Sequence, residues 1–302
     1  LRIAMGTKVL SFVDTVDFPA ADREFSFGRY TRSDGGTDFT ELRATTRDGA
    51  NALPRMGPLV VSEIMYHPAG TGVEYIELVN ITAQAVPLYD PLFPSNTWEL
   101  SGAVDFVFPE GVELPACDSL VVCGTNAAAF RSLYGLPVQQ LVFGPWNGNL
   151  DNAGETLKVR RPGHPELDGF VPQIRVDHVS YLPTDPWPLS ADGSGPSLER
   201  EPLLGYGNDA LHWKASPVGG TPGLAGSYCP SAIPIALSVS PSEAWLSIPT
   251  LPGETFIIEY TDSLAPPSWQ LLQQVTGGAT NVIEVMDGSG EMRRYYRAHW
   301  SE

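Results

Sequence analysis

The chain has 302 residues, enough for one to three domains with sizeable cores, and its 18% charged content argues against disorder. A formal net charge of −17, with no basic stripe to offset it, excludes nucleic acid and anionic membrane surfaces as partners. No apolar run reaches the 18 residues of a membrane span, so no membrane insertion is expected in this segment. The chain opens mid-pattern at Leu1, without a signal peptide, and targeting information is expected upstream.

The chain partly repeats itself. Val13-Asp14-Thr15-Val16-Asp17-Phe18 recurs 163 residues later as Val176-Asp177-His178-Val179-Ser180-Tyr181. Each copy leads into a serine-containing strand with a basic end, Phe25 to Arg29 and Gly195 to Arg200, then Asp38-Phe39 and His212-Trp213. Repetition at this scale indicates modules. The second copy has about 120 residues of strand-like sequence before it and the first almost none. Residues 1–52 therefore read as the end of a preceding module, either an orphan fragment or a segment paired with the next module's edge.

Strands follow. Leu59 to Tyr66 is apolar and stopped by His67-Pro68; Val73 to Asn80 alternates with one slip, which predicts a bulge there. Val104 to Phe108, Val112 to Leu114, Ser119 to Cys123, Glu155 to Arg160 and Ile174 to Tyr181 are further strands. Only Asn126 to Tyr134 reads as helix, opened by an asparagine cap and closed by Gly135 and Pro137. Short strands with turns every 8 to 12 residues predict an all-β fold, a β-sandwich. After a linker over Ala215 to Ala232, five strand-like runs from Ile235 to Trp300 predict a second, smaller β-sandwich. Its aromatics, Trp245, Tyr260, Trp269, Tyr295 and Tyr296, are expected in its core.

Catalytic signatures are missing: no G-x-S-x-G elbow, H-E-x-x-H helix, phosphate loop or calcium-binding helix–loop–helix. Gly205 to Ala210 matches a dinucleotide fingerprint in letters alone, since no parallel strand precedes it. Asn80-Ile81-Thr82 is a glycosylation triplet. Asp185 and Asp192 bracket Trp187 in a loop that could hold calcium, although turn-capping aspartates have the same pattern; Asp34 to Asp38 carries the same ambiguity. Glu63, Glu74 and Glu77 on adjacent strands are either paired acid–base carboxylates or outward-facing strand residues. Cys117 and Cys123 lie six residues apart across one strand, about 20 Å at roughly 3.3 Å per residue, beyond disulfide reach. With Cys229 in the linker, three free thiols are expected.

Leu59 to Pro68 followed by Glu74 to Asn80 resembles the opening of a bacterial lamin-tail domain. Phe108-Pro109 to Leu114, Ser119 to Val122, Trp146 to Leu150, Asn152 to Leu157, Val176 to Tyr181, Ser197 to Arg200 and Gly220 to Gly223 continue the pattern in order. One step departs: Leu88-Tyr89-Asp90 is followed by an insertion before Trp98, so a displaced edge strand is expected. Residues 58–224 would be the lamin-tail domain, residues 1–52 the remnant of a preceding one, and residues 233–302 a small C-terminal β-domain. In that last domain Tyr260-x-Asp262-x-Leu264, Trp269 and Arg293-Arg294-Tyr295-Tyr296-Arg297 are similar to a module of large secreted bacterial proteins.

The resemblance implies an immunoglobulin-like sandwich without catalytic residues or cofactor. It implies an accessory or adhesion module of a large exported protein, extracellular or at the cell surface, with protein or carbohydrate ligands. Trp98, Trp146 and Trp187, if exposed, would stack on sugar rings. The alternative is the C-terminal part of a secreted hydrolase or spore-coat-H-like kinase whose catalytic domain lies upstream. A nuclear-lamina role does not fit, because no coiled coil or basic localisation run is present.

Overall fold

Apolar and β-branched runs become strands throughout the computed structural model. It describes residues 2–5, 8–12, 16, 18–21, 25–82, 84–224, 235–240, 243–250, 255–264, 268–277, 282–288 and 294–300. The fold class is all-β, with one α-helix among the described residues. No helix among them is long and apolar enough to cross a membrane. Two compact units form, Leu1–Asn80 with Val86–Leu114 and Ser119–Ala225, and Ile81–Ala85 with Pro115–Asp118 and Gly226–Glu302.

In the first unit β1 (Arg2–Met5) pairs with β2 (Lys8–Phe12), and β3 (Phe27–Thr31) with β4 (Thr37–Glu41), both antiparallel. Next come β5 (Leu59–Met65), β6 (Tyr75–Asn80), β7 (Val86–Pro87), β8 (Tyr89–Asp90), β9 (Phe93–Thr97), β10 (Glu99–Gly102), β11 (Val104–Val107), β12 (Glu113–Leu114) and β13 (Ser119–Cys123). After helix α1 (Ala127–Tyr134) follow β14 (Leu141–Phe143), β15 (Asn147–Gly148), β16 (Glu155–Pro162), β17 (Gln173–Tyr181), β18 (Leu198–Arg200) and β19 (Trp213–Ala215). One sheet runs β14-β13-β6-β5-β18-β19 and the other β15-β11-β10-β16-β17. Leu59, Val61, Ile76, Leu78 and Val122 from the first meet Leu100, Leu157, Val159 and Val179 from the second in one core. Each such fully buried aliphatic contributes about 1.5–3 kcal/mol.

β5 and β6 are buried along their whole length because both of their faces are covered. On the face away from the sandwich core, Met65, Tyr75, Val121 and Cys123 form a second cluster with Phe130 of α1. The expected bulge exists, but in β5: Val61 faces Leu78 and Glu63 faces Glu77, leaving Ser62 as the extra residue. The slip read in β6 is a strand with apolar residues on both faces.

α1 starts where expected. The Asn126 side chain accepts from the Ala128 and Ala129 amides, and Gly135 ends the helix in the left-handed region at φ 63°. The insertion before Trp98 is absorbed as the β8–β9 hairpin, which returns the chain so that the Trp98 amide donates to the Leu88 carbonyl at 2.9 Å.

The two halves of the internal repeat share a pairing. Arg29 sits opposite Phe39 across β3–β4, as Arg200 sits opposite Trp213 across β18–β19. Residues 13–15 and 17 of the first copy lie outside the described residues.

The second unit stacks two three-stranded sheets, β20-β21-β24 and β23-β22-β25, built from β20 (Ala236–Val239), β21 (Ala244–Pro249), β22 (Thr255–Thr261), β23 (Gln270–Thr276), β24 (Val282–Asp287) and β25 (Tyr295–Trp300). β20 and β21 pair as an antiparallel hairpin. Leu246, Ile248, Phe256, Ile258, Val285 and Ala298 form its core. Its motif residues converge: the Arg294 guanidinium lies 3.9 Å over the Tyr260 ring and pairs with Asp262 and Asp287, and Arg297 lies 4.3 Å over Trp269 and pairs with Glu259. Cys117, in this unit, is disulfide-bonded, which corrects the expectation of three free thiols. Strand geometry ruled out only the Cys117–Cys123 pairing, and Cys123 is indeed free and buried. Cys229 lies outside the described residues.

Candidate functional site

Glu63 and Glu77 face each other across β5–β6 and are 1% and 0% exposed. The reading of outward-facing carboxylates is therefore wrong: the face they occupy is roofed by the segment leading out of the first unit. Glu63 Oε1 accepts from the Tyr75 hydroxyl at 2.6 Å, from the Thr221 amide at 2.7 Å and from the Ser197 hydroxyl. Glu77 Oε1 accepts from the Ser62 hydroxyl at 2.8 Å, and its Oε2 from the Gly223 amide at 2.6 Å and the Ser119 hydroxyl at 3.3 Å. Burial pushes the Glu63 carboxyl up and that of Glu77 to about 7, the proximity of Glu63 adding to the rise at Glu77. Together the pair pins Gly220-Thr221-Pro222-Gly223 onto the sheet. Gly220 is required there: at φ 77°, a Cβ would lie 1.9 Å from the Tyr75 hydroxyl oxygen. Glu74 does not join them; half-buried, it accepts from the Leu150 amide at 3.0 Å.

A second buried network surrounds Arg200. Its guanidinium is fully buried and contacts Asp177 at 2.5 Å, the Val61 carbonyl at 3.1 Å and the Gly205 carbonyl at 2.6 Å. The Asp177 carboxylate also accepts from the Val61 amide at 2.9 Å, tying β17 of one sheet to β5 of the other. The fingerprint-like Gly205 to Ala210 turns its carbonyls inward, to Arg200, His212 and Trp213. A phosphate cradle needs inward amides. His178, buried beside Tyr206, is held neutral: burial drives its pKa well below the ordinary value, and Arg175, Lys158, Arg200 and Arg32 lower it further.

The same loop receives the β3–β4 hairpin. Asp209 accepts from the Tyr30 hydroxyl at 3.2 Å, the Ser33 amide at 2.9 Å and the Ser33 hydroxyl. Asn208 donates to Asp38 at 2.7 Å, and Tyr30 meets Tyr206 edge to face at 4.9 Å. Asp34 and Asp38 both pair with Arg32, so that the cation between these carboxylates is a guanidinium of the same hairpin.

Trp98, Trp146 and Trp187 are 4%, 7% and 5% exposed and lie in the sandwich core, which corrects the expectation of exposed sugar-stacking platforms. Large rings are the cheapest way to fill a core between two sheets; Trp187 packs 5.9 Å from Trp213, and Trp146 against Gly124. Asp185 and Asp192 are exposed. Asp192 pairs with His67 at 2.6 Å, and no three His, Cys, Asp or Glu among the described residues are placed to hold a metal ion. Asn80, the residue a glycan would need, is fully buried and donates to the Leu114 carbonyl at 3.1 Å.

What sequence reading missed is an exposed indole in the second unit. Trp245 is 41% exposed on the outer face of β20-β21-β24, opposite Ser238 and Met286. Leu246 and Ile248 point into the core, so alternation puts Trp245 and Ser247 outward. The signal was the parity of Ala244-Trp245-Leu246-Ser247-Ile248, which outranks the general tendency of tryptophan to be buried. An open groove of about 400 Å³ runs along this face, lined by Ala236, Leu237, Ser238, Trp245, Ser247 and Glu284.

Comparison with known proteins finds no matching family model, no matching curated protein and no matching solved structure.

Proposed function

We propose that this chain is a non-catalytic binding or adhesion module of a large exported bacterial protein, its first unit an immunoglobulin-like sandwich of the lamin-tail type. The observation that carries the reading is the fate of the acid–base candidates. Glu63 and Glu77, the pair with raised proton affinity, are sealed from solvent and hold chain segments together. Perturbed carboxylates mark active sites when they line a cleft; these are covered by the 220–223 segment. The equivalent pairing in the two repeat halves and the ordered motifs over residues 58–224 support the modular part of the reading.

The test is to assay the whole chain against chromogenic glycoside, ester, peptide and phosphodiester substrates alongside sedimentation with insoluble cellulose, chitin and xylan. Binding without turnover is expected. Turnover that disappears in Glu77→Gln while the variant remains folded would overturn the reading.

A further inference from the structure

We infer that the outer face of β20-β21-β24 is a carbohydrate-binding surface for neutral polysaccharides, with the Trp245 indole as its stacking platform. The inference rests on the binding-module reading and gives it a site and a ligand class.

Three features of the face carry it. First, the indole is oriented: its Nε1 donates to the Glu243 carboxylate at 3.3 Å, which ties one edge of a side chain that remains 41% exposed. A pyranose ring offers a flat array of C–H groups on one side and hydroxyls around its rim. It needs an apolar plate with polar groups beside it. Second, the polar groups are present. Ser238 is the direct cross-strand neighbour of Trp245, while Ser247 and Glu284 face each other one step along the same side of the sheet. Residues two apart on a strand are separated by roughly 6.5–7 Å, so the hydroxyls and the carboxylate lie beside the indole at the distance of sugar substituents, while the exposed Met286 flanks it on the other strand. Glu284 is exposed, and a carboxylate can accept from two neighbouring sugar hydroxyls at once. Third, the groove is open and shallow at about 400 Å³, which suits an extended polymer passing across the sheet.

The charge of the face sets the class. Glu243 and Glu284, on a chain of net charge −17, repel uronates and sulfated chains. Among the described residues no second ring contacts the Trp245 indole, and a single indole is no cage for a quaternary or methylated ammonium. A neutral polyol satisfies both conditions.

Native affinity electrophoresis of the whole chain tests this, in gels containing hydroxyethylcellulose, glucomannan or arabinoxylan, with alginate as the anionic control. The net negative charge drives migration, and Trp245→Ala leaves it unchanged. At least one neutral polymer is expected to retard the chain and alginate not to. Trp245→Ala should weaken retardation about tenfold or more and Trp245→Phe less, with Glu284→Gln intermediate. Trp245 is exposed, so these variants fold, which an unchanged thermal transition verifies. Retardation equal in parent and Trp245→Ala would overturn the groove while leaving the binding-module reading intact. Absence of retardation by every neutral polymer, or a self-association seen in sedimentation velocity that Trp245→Ala abolishes, would overturn the carbohydrate assignment.

Discussion

Glu77→Gln should remove a pH dependence of stability that the buried carboxylate builds in. Glu77 is fully buried, and its carboxyl titrates near 7 in the fold against 4.5 when exposed. The folded state therefore holds a proton that the unfolded chain gives up, and the stability this supports is complete below pH 4.5 and lost as pH rises through 7. At about 1.4 kcal/mol per tenfold change in proton affinity, the loss is about 3 kcal/mol, a large part of the roughly 5–15 kcal/mol of a typical domain. Glutamine reproduces the protonated side chain. It accepts from the Gly223 amide, and its amide donates to Ser62, whose hydroxyl turns to the Glu77 carbonyl 3.2 Å away. His178 works in the other direction: held neutral by burial, it contributes stability above its ordinary pKa of 6.5 that is lost as pH falls. The informative quantity is therefore the difference between parent and variant. Urea midpoints measured from pH 4.5 to 8 should show the parent losing about 3 kcal/mol relative to Glu77→Gln across that window. A constant difference across that window would show that Glu77 carries no such proton.

Arg200→Met should cost about 3–5 kcal/mol, because Asp177 is left buried and charged, whereas Arg200→Met with Asp177→Leu should recover much of it; equal losses in the two variants, by urea titration, would contradict this. Asp209→Ala should release the β3–β4 hairpin, with amide exchange from Phe27 to Thr31 faster by a factor matching about 1–3 kcal/mol, and unchanged exchange would show that Asp209 does not hold it. Gly220→Ala should destabilise by more than about 1 kcal/mol, read from thermal unfolding, since positive φ and the Tyr75 hydroxyl both oppose a Cβ. Alkylation before reduction should leave Cys117 unmodified in peptide mass mapping; a labelled Cys117 would exclude its disulfide.

Much of the fold was legible because it rests on local rules. Alternation and turn residues located β13 at Ser119–Cys123 without error, and the Asn126 cap and Gly135 stop bounded the helix. The β5 bulge was also written in the chain: Leu59 and Val61 share a parity that Ile64 and Tyr66 reverse. It was assigned to the wrong strand because β6 carries apolar residues on both faces. The site was less legible for a physical reason. Whether a carboxylate or an indole on a strand is buried depends on what covers that face. For Glu63 and Glu77 the cover is the 220–223 segment, whose contacting residues lie 158 and 146 residues later. Trp98, Trp146 and Trp187 enter the core from connecting segments, where alternation along a strand says nothing about burial. Only Trp245, whose neighbours in sequence fix its side, was decidable in advance.

Binding without catalysis is measured by an equilibrium isotherm of the whole chain on cellulose, chitin and xylan, with released soluble sugar quantified in the same samples. Saturable depletion of the chain from solution by at least one polymer, loss of that depletion in Trp245→Ala, and no sugar release are expected. Release of sugar in proportion to bound chain, or no depletion by any polymer, would contradict binding without catalysis.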